Sequence, residues 1–185
     1  MRTRLAPSFF TGPAGATRPT GLSRVLACWA MASCAGWANA DNGPMLPRDM
    51  PAAYTQECAA CHTAYPPGML PAPSWSRVMG GLDKHYGTDA SLDAATVQKL
   101  GSWLQQHAGT YKRVSEAPPQ DRITRSAWFV RKHRKVDAAT WKLVSVKSAA
   151  NCAACHGGAD KGLYNDDDLL IPAGLSAQQR WAWRD

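Results

Sequence analysis

The sequence predicts a mainly α protein of short helices joined by extensive loops. Two segments, 74–86 and 93–108, repeat apolar residues at 3,4 spacing, the mark of a helix with one buried face. The 185 residues include 13 prolines and 15 glycines, which punctuate the chain into short pieces. The one strand candidate, 142–147, is too short and isolated to build a sheet.

The elements follow in chain order. Residues 1–24 hold Arg2, Arg4, Arg18 and Arg24, and an apolar run from Val25 to Ala32 follows. Ala38-Asn39-Ala40 is a small-x-small cleavage site. This is the order of a secretory signal, expected over 1–40, with the mature chain exported to the periplasm. Cleavage leaves four of the six cysteines. No apolar stretch has the roughly 20 residues of a membrane span. The whole chain has 21 Lys and Arg against 14 Asp and Glu, or +7. From residue 40 onward the count is 17 against 14, a balance of +3, which argues against a nucleic-acid partner.

Residues 41–53 read as an extended start, and 52–62 as a short helix. Pro66, Pro67, Pro71 and Pro73 make 63–73 a loop. Ser74 is the expected N-cap of the next helix, with Trp75, Val78, Met79, Leu82 and His85 on one face and Gly87 at its end. Asp93 caps the following helix, Val97, Leu100, Trp103 and Leu104 form its buried stripe, and Gly109 ends it. Residues 111–122 read as a linker. Asp137 and Ser148 are expected caps of two more short helices, and 176–183 of a last one.

Chemistry enters with the four remaining cysteines. Cys58 and Cys61, and again Cys152 and Cys155, sit in identical Cys-Ala-Ala-Cys-His runs that end in His62 and His156. Such a motif attaches c-type haem: two thiols add to the two vinyl groups of one porphyrin, and the adjacent histidine reaches the iron. A four-cysteine zinc site uses the same pairs but has no need of either histidine. Two disulfides would also suit an exported chain. The repeated histidine favours two haem c groups. Division into 41–115 around haem 1 and 116–185 around haem 2, within one compact unit, follows from the motif positions.

Electron-transfer haem usually takes a second axial His or Met. No His or Met follows His156, so the second ligand of haem 2 is expected from upstream, with Lys161 a weak downstream candidate. His85, His107 and His133 lie between the motifs, and Met69 and Met79 follow the first. His85 ends a buried helix face, where a ligand belongs. His133 follows the apolar run Trp128-Phe129-Val130, and flanking cations disfavour its protonated form. His107 falls in the last turn of its helix, where the dipole also favours a partly exposed histidine. Apolar side chains are sparse, so the porphyrins are expected to serve as core, with Trp75, Trp103, Trp128 and Trp141 packed nearby.

Assembled, these segments resemble the dihaem cytochrome c family of bacterial periplasmic electron carriers. The resembling pieces are Glu57 to His62, Trp75 to Gly87, Arg122-Ile123-Thr124-Arg125-Ser126 through His133, and Ser148 to His156. The resemblance implies two bis-histidine haems, with distal ligands at His85 and His133, and electron transfer without catalysis. It implies redox partners such as a small c-type haem protein or a membrane cytochrome b561. The basic stretch 122–135 either pairs with haem propionates or meets an acidic partner. A redox subunit of a larger reductase and a haem peroxidase are the competing functions.

Overall fold

The computed structural model describes residues 44–110, 114, 116–166 and 168–183, which belong to one compact unit. The expected signal segment lies outside the described residues. Four α-helices carry the architecture: α1 (Ala52–Cys58), α2 (Ala72–Met79), α3 (Ala94–Gln106) and α4 (Ala127–Lys132). The remaining helical pieces are single 3₁₀ turns. Among the described residues the only β pairings are two isolated bridges, His85 with Thr88 and His156 with Leu169. The mainly α, loop-rich reading therefore holds, and 142–147 forms no strand.

Asp93 caps α3 as its sequence demands, its carboxylate accepting from Thr96 N at 3.0 Å. Leu100, Trp103 and Leu104 then line one face of α3 and pack against Trp75 and Met79 of α2 and Tyr54 of α1. Burying side chains the size of Leu100 and Leu104 contributes about 1.5–3 kcal/mol each. Gly109, just past α3, donates to Leu70 O at 2.9 Å. A Cβ there would collide with Val114 and the Gly68 carbonyl, so the close crossing requires glycine.

Several expected boundaries move. α2 begins two residues before Ser74, with Pro71 at its N-cap and Pro73 in its first turn, where a missing N–H costs nothing. Ser74 is fully buried inside the helix. α2 stops at Met79 because Gly80-Gly81 follows, and a separate 3₁₀ turn, Leu82–Lys84, delivers His85. α1 ends at Cys58, before the first motif is complete. Cys152–Ala154 forms a 3₁₀ turn rather than a longer helix. Ser148 Oγ accepts from Ala150 N, an adjacent turn, instead of capping a helix.

The apolar core is also less evenly sparse than composition suggests. Residues 54–104 hold a contiguous buried cluster of their own. Beyond residue 116 the buried apolar side chains are few, among them Phe129, Val146 and Leu175. Trp103 belongs to the first cluster, on Tyr54 at 4.8 Å, while Trp141 approaches His133 at 5.8 Å.

Candidate haem sites

The turn after α2 and the end of α4 each bring one histidine opposite a motif histidine. His85 faces His62 with ring centres 6.2 Å apart. His133 faces His156 at the same 6.2 Å. Two imidazoles bound by nitrogen on opposite sides of one metal, each about 2 Å from it, have ring centres roughly 6 Å apart. Both pairs therefore leave room for one metal between two rings.

Hydrogen bonds orient two of the rings. His62 Nδ1 lies 2.8 Å from Thr63 O, and His133 Nδ1 lies 2.9 Å from Phe129 O. A carbonyl only accepts, so in both rings Nδ1–H donates and Nε2 is left with a free lone pair for iron. Burial holds His85, His133 and His156 below the usual histidine range. The neighbouring His62 adds to the effect at His85, and His133 adds to it at His156. Neutral imidazole is the form that binds a metal.

His107 is differently engaged. Its Nδ1 donates to Trp103 O at 3.0 Å, and its Nε2 sits 3.1 Å from Asp49 Oδ1. Both ring nitrogens have protein partners, and neither faces another imidazole. The partner that occupies Nε2 lies 58 positions upstream, beyond the reach of any local pattern.

Cys58, Cys61, Cys152 and Cys155 are all free. Among the described residues no cluster of three or more His, Cys, Asp or Glu side chains forms. The pairs thus neither bridge as disulfides nor converge as a four-thiolate zinc site. Burial pushes the Cys58 thiol up to about 11, with Glu57 adding to it, and pushes Cys152 up to about 11 as well. Neither is poised as a reactive thiolate.

A cavity of about 700 Å³ opens against the first motif, walled by Cys58, Cys61, His62 and His85 and roofed by Trp75, Met79 and Leu104. Ser148, Asn151 and Cys152 also line it, so the attachment segment of the second motif borders the space of the first. A planar, largely apolar group with two ionised carboxylates fits such a lining, because Arg122 and Lys147 reach the same cavity. Arg122 is held over the Tyr86 ring at 4.2 Å.

Two side chains join the sites: sequence reasoning missed Tyr65 and named Phe129 only as part of the apolar run before His133. Tyr65 stacks on His62 at 4.7 Å and donates its hydroxyl to Ala150 O at 2.6 Å, beside the second motif. Phe129 lines the first cavity and stacks on His133 at 3.9 Å. The i, i+4 spacing of Phe129 and His133 was the available signal for the second. Nothing local marks Tyr65.

Two Cys-Ala-Ala-Cys-His segments, each with a second imidazole set across from its histidine, define a c-type haem protein built for two haems. The dihaem cytochrome c family model matches residues 54–164. This chain belongs to the dihaem cytochrome c family. A dihaem c-type cytochrome from Shewanella baltica OS155 is 35% identical, with 67% of this chain and 96% of that one covered and a TM-score of 0.59. Two structures of the dihaem cytochrome from Rhodobacter sphaeroides are 40% and 38% identical. They cover 64% and 63% of this chain and 99% and 98% of theirs, with TM-scores of 0.54 and 0.56. No match was found among curated proteins. The chain carries two haem c groups and serves periplasmic electron transfer, as a carrier rather than an enzyme. Among the described residues no helix is long and apolar enough to cross a membrane.

Proposed function

We propose that His62 and His85 ligate the iron of haem 1, and His133 and His156 that of haem 2. Cys58 and Cys61 hold the first porphyrin and Cys152 and Cys155 the second. The carrying observation is the equal 6.2 Å separation of the two ring pairs. Each haem, when bound, supplies a one-electron centre. The chain's own residues do the rest. Four imidazoles would hold the two irons, two to each, and would leave no ligand position for peroxide. Carbonyl hydrogen bonds to Nδ1 fix the His62 and His133 tautomers and raise their basicity. Tyr65 and Phe129 tie the two ligand shells together.

The partners we propose are a small c-type haem protein or a membrane cytochrome b561. Support comes from the exposed cations Arg131, Lys132, Arg134 and Lys135 around His133, beside exposed Val130. Lys132 already meets Asp166 at 3.6 Å, so an acidic partner would compete with a solvated pair rather than a buried one. A transfer rate that falls as salt rises supports docking there, and a flat dependence refutes it.

The ligand assignment is tested by absorption spectroscopy of the ferric holoprotein after separate replacement of His85, His107 and His133 by alanine. His85→Ala and His133→Ala should each convert one of the two haems to high spin, and His107→Ala neither. Loss of a low-spin centre in His107→Ala with both retained in His85→Ala would overturn the assignment.

A further inference from the structure

The two ligand pairs share a separation but not an orientation. The rings of His62 and His85 are 24° from parallel, while those of His133 and His156 cross at 80°. We infer that Phe129 is a positioning residue that holds His133 crosswise to His156, so that the two haems are electronically different centres. The inference rests on the ligand assignment above.

The ring planes are fixed by the surrounding chain. His62 is held on both counts, by Thr63 O at its Nδ1 and by the Tyr65 ring against its face at 19°. His133 is held by Phe129 in two ways, with the Trp141 ring a more distant neighbour at 5.8 Å and 57°. The Phe129 carbonyl accepts from Nδ1 at 2.9 Å, and the Phe129 ring lies flat against the imidazole at 3.9 Å and 20°. One turn of α4 separates the two residues, so the same helical geometry provides both contacts. Phe129 is itself fixed: it is buried, its N–H is capped by Ser126 Oγ at 3.1 Å, and Trp141 packs 6.1 Å away. His156 packs on another neighbour, Tyr164 at 5.5 Å. The two rings thus rest on different side chains and stand crosswise.

The consequence follows from the symmetry of the iron. Each imidazole donates π density along one direction in the porphyrin plane. Two aligned rings donate along the same direction and split the two iron orbitals that lie along the axial bonds. Crossed rings donate along both directions equally and leave those orbitals close in energy. In the ferric low-spin state the first arrangement gives a rhombic paramagnetic signal with its g-values well resolved. The second gives a strongly anisotropic signal in which only the largest g-value stands out.

The test is electron paramagnetic resonance of the fully oxidised holoprotein, with near-infrared magnetic circular dichroism on the same sample. The expected wild-type spectrum contains one rhombic and one strongly anisotropic signal in equal amounts. Phe129→Leu keeps the backbone carbonyl but removes the flat face, and should convert or broaden the anisotropic signal alone. Phe129→Tyr keeps the face and should retain it. Two rhombic signals in wild type, with bis-histidine charge-transfer bands intact, would overturn the inference and leave the ligand assignment standing. A methionine-type band or a high-spin signal would instead overturn the assignment, and the inference with it. A Phe129→Leu spectrum identical to wild type, or one in which both signals change, refutes the positioning role, because Phe129 also lines the first cavity.

Discussion

Replacing Tyr65 by phenylalanine removes one oxygen atom from the junction between the two motif segments. The Tyr65 hydroxyl donates to Ala150 O at 2.6 Å, and 85 positions separate the two residues. The ring itself remains, so its stack on His62 at 4.7 Å survives. The loss is then one neutral hydrogen bond, worth about 1 kcal/mol net. Ala150 is only half-buried, so water can replace the lost donor and the cost stays near that figure. With a guanidinium slope of roughly 4 kcal/mol/M for a chain of this size, the unfolding midpoint should fall by about 0.25 M. The assay is equilibrium unfolding followed by far-ultraviolet circular dichroism. Covalent attachment keeps both haems on the unfolded chain, so wild type and variant share one reference state. The absorption spectrum should stay low-spin at both haems. An unchanged midpoint would show that the contact contributes nothing. Loss of a low-spin centre would show that the hydroxyl, not the ring, holds His62.

Leu100 has 0% exposure in the first cluster, so Leu100→Ala should cost about 2–5 kcal/mol by chemical denaturation, more than any single change in the second half. The Arg77 guanidinium bonds both oxygens of Asp121, at 2.7 and 2.8 Å, and holds that carboxyl below the usual range. A depressed folded value contributes stability above the unfolded value of about 3.9 and loses it as pH falls through the folded one. The stability gap between wild type and Arg77→Met should therefore be full at neutral pH and close in acid, as read from unfolding midpoints across pH. His107→Gln breaks an exposed contact with Asp49 and should cost no more than about 1 kcal/mol in the same assay. Replacing both Cys152 and Cys155 by alanine should leave amide protection in α1 to α3 and abolish it beyond residue 126, as measured by hydrogen exchange.

What the sequence carried was local chemistry. The Asp93 cap and the α3 stripe are each set within a few residues and stand where expected, while the helix stops at Gln106 with His107, not Gly109, at its C-cap. The motif cysteines and histidines are equally local, because haem attachment demands a fixed spacing. The distal pair was narrowed by counting: two positions needed, three histidines on offer. The family resemblance singled out His85 and His133 among them; Asp49 beside His107, a contact that no periodicity encodes, is separate support for that choice. α2 was misjudged at both ends for a different reason. Ser74 looked like a cap, but Pro71 and Pro73 start the helix earlier, and Gly80-Gly81 stops it before His85. The helix expected around Cys152 was lost because its segment has no apolar stripe to reward an extra turn.

That last failure points to how the two halves are held. Residues 54–104 bury Leu100, Leu104, Trp75 and Tyr54 against one another, so their helices have apolar partners within the polypeptide. Among the described residues beyond 116 only α4, capped by Ser126 on Phe129, is an α-helix, and the rest is short 3₁₀ turns and loops. Isolated turns are marginal in water, since each fixes several dihedrals for one hydrogen bond. Yet His133 and His156 lie within this thin region at the same separation as the pair in the well-packed half. A porphyrin with its iron bound on both faces would join α4 to the second motif and supply the apolar area those turns lack. In the first half the haem would enter an open cavity that the packed helices already shape. In the second it would itself be the centre around which the turns are arranged.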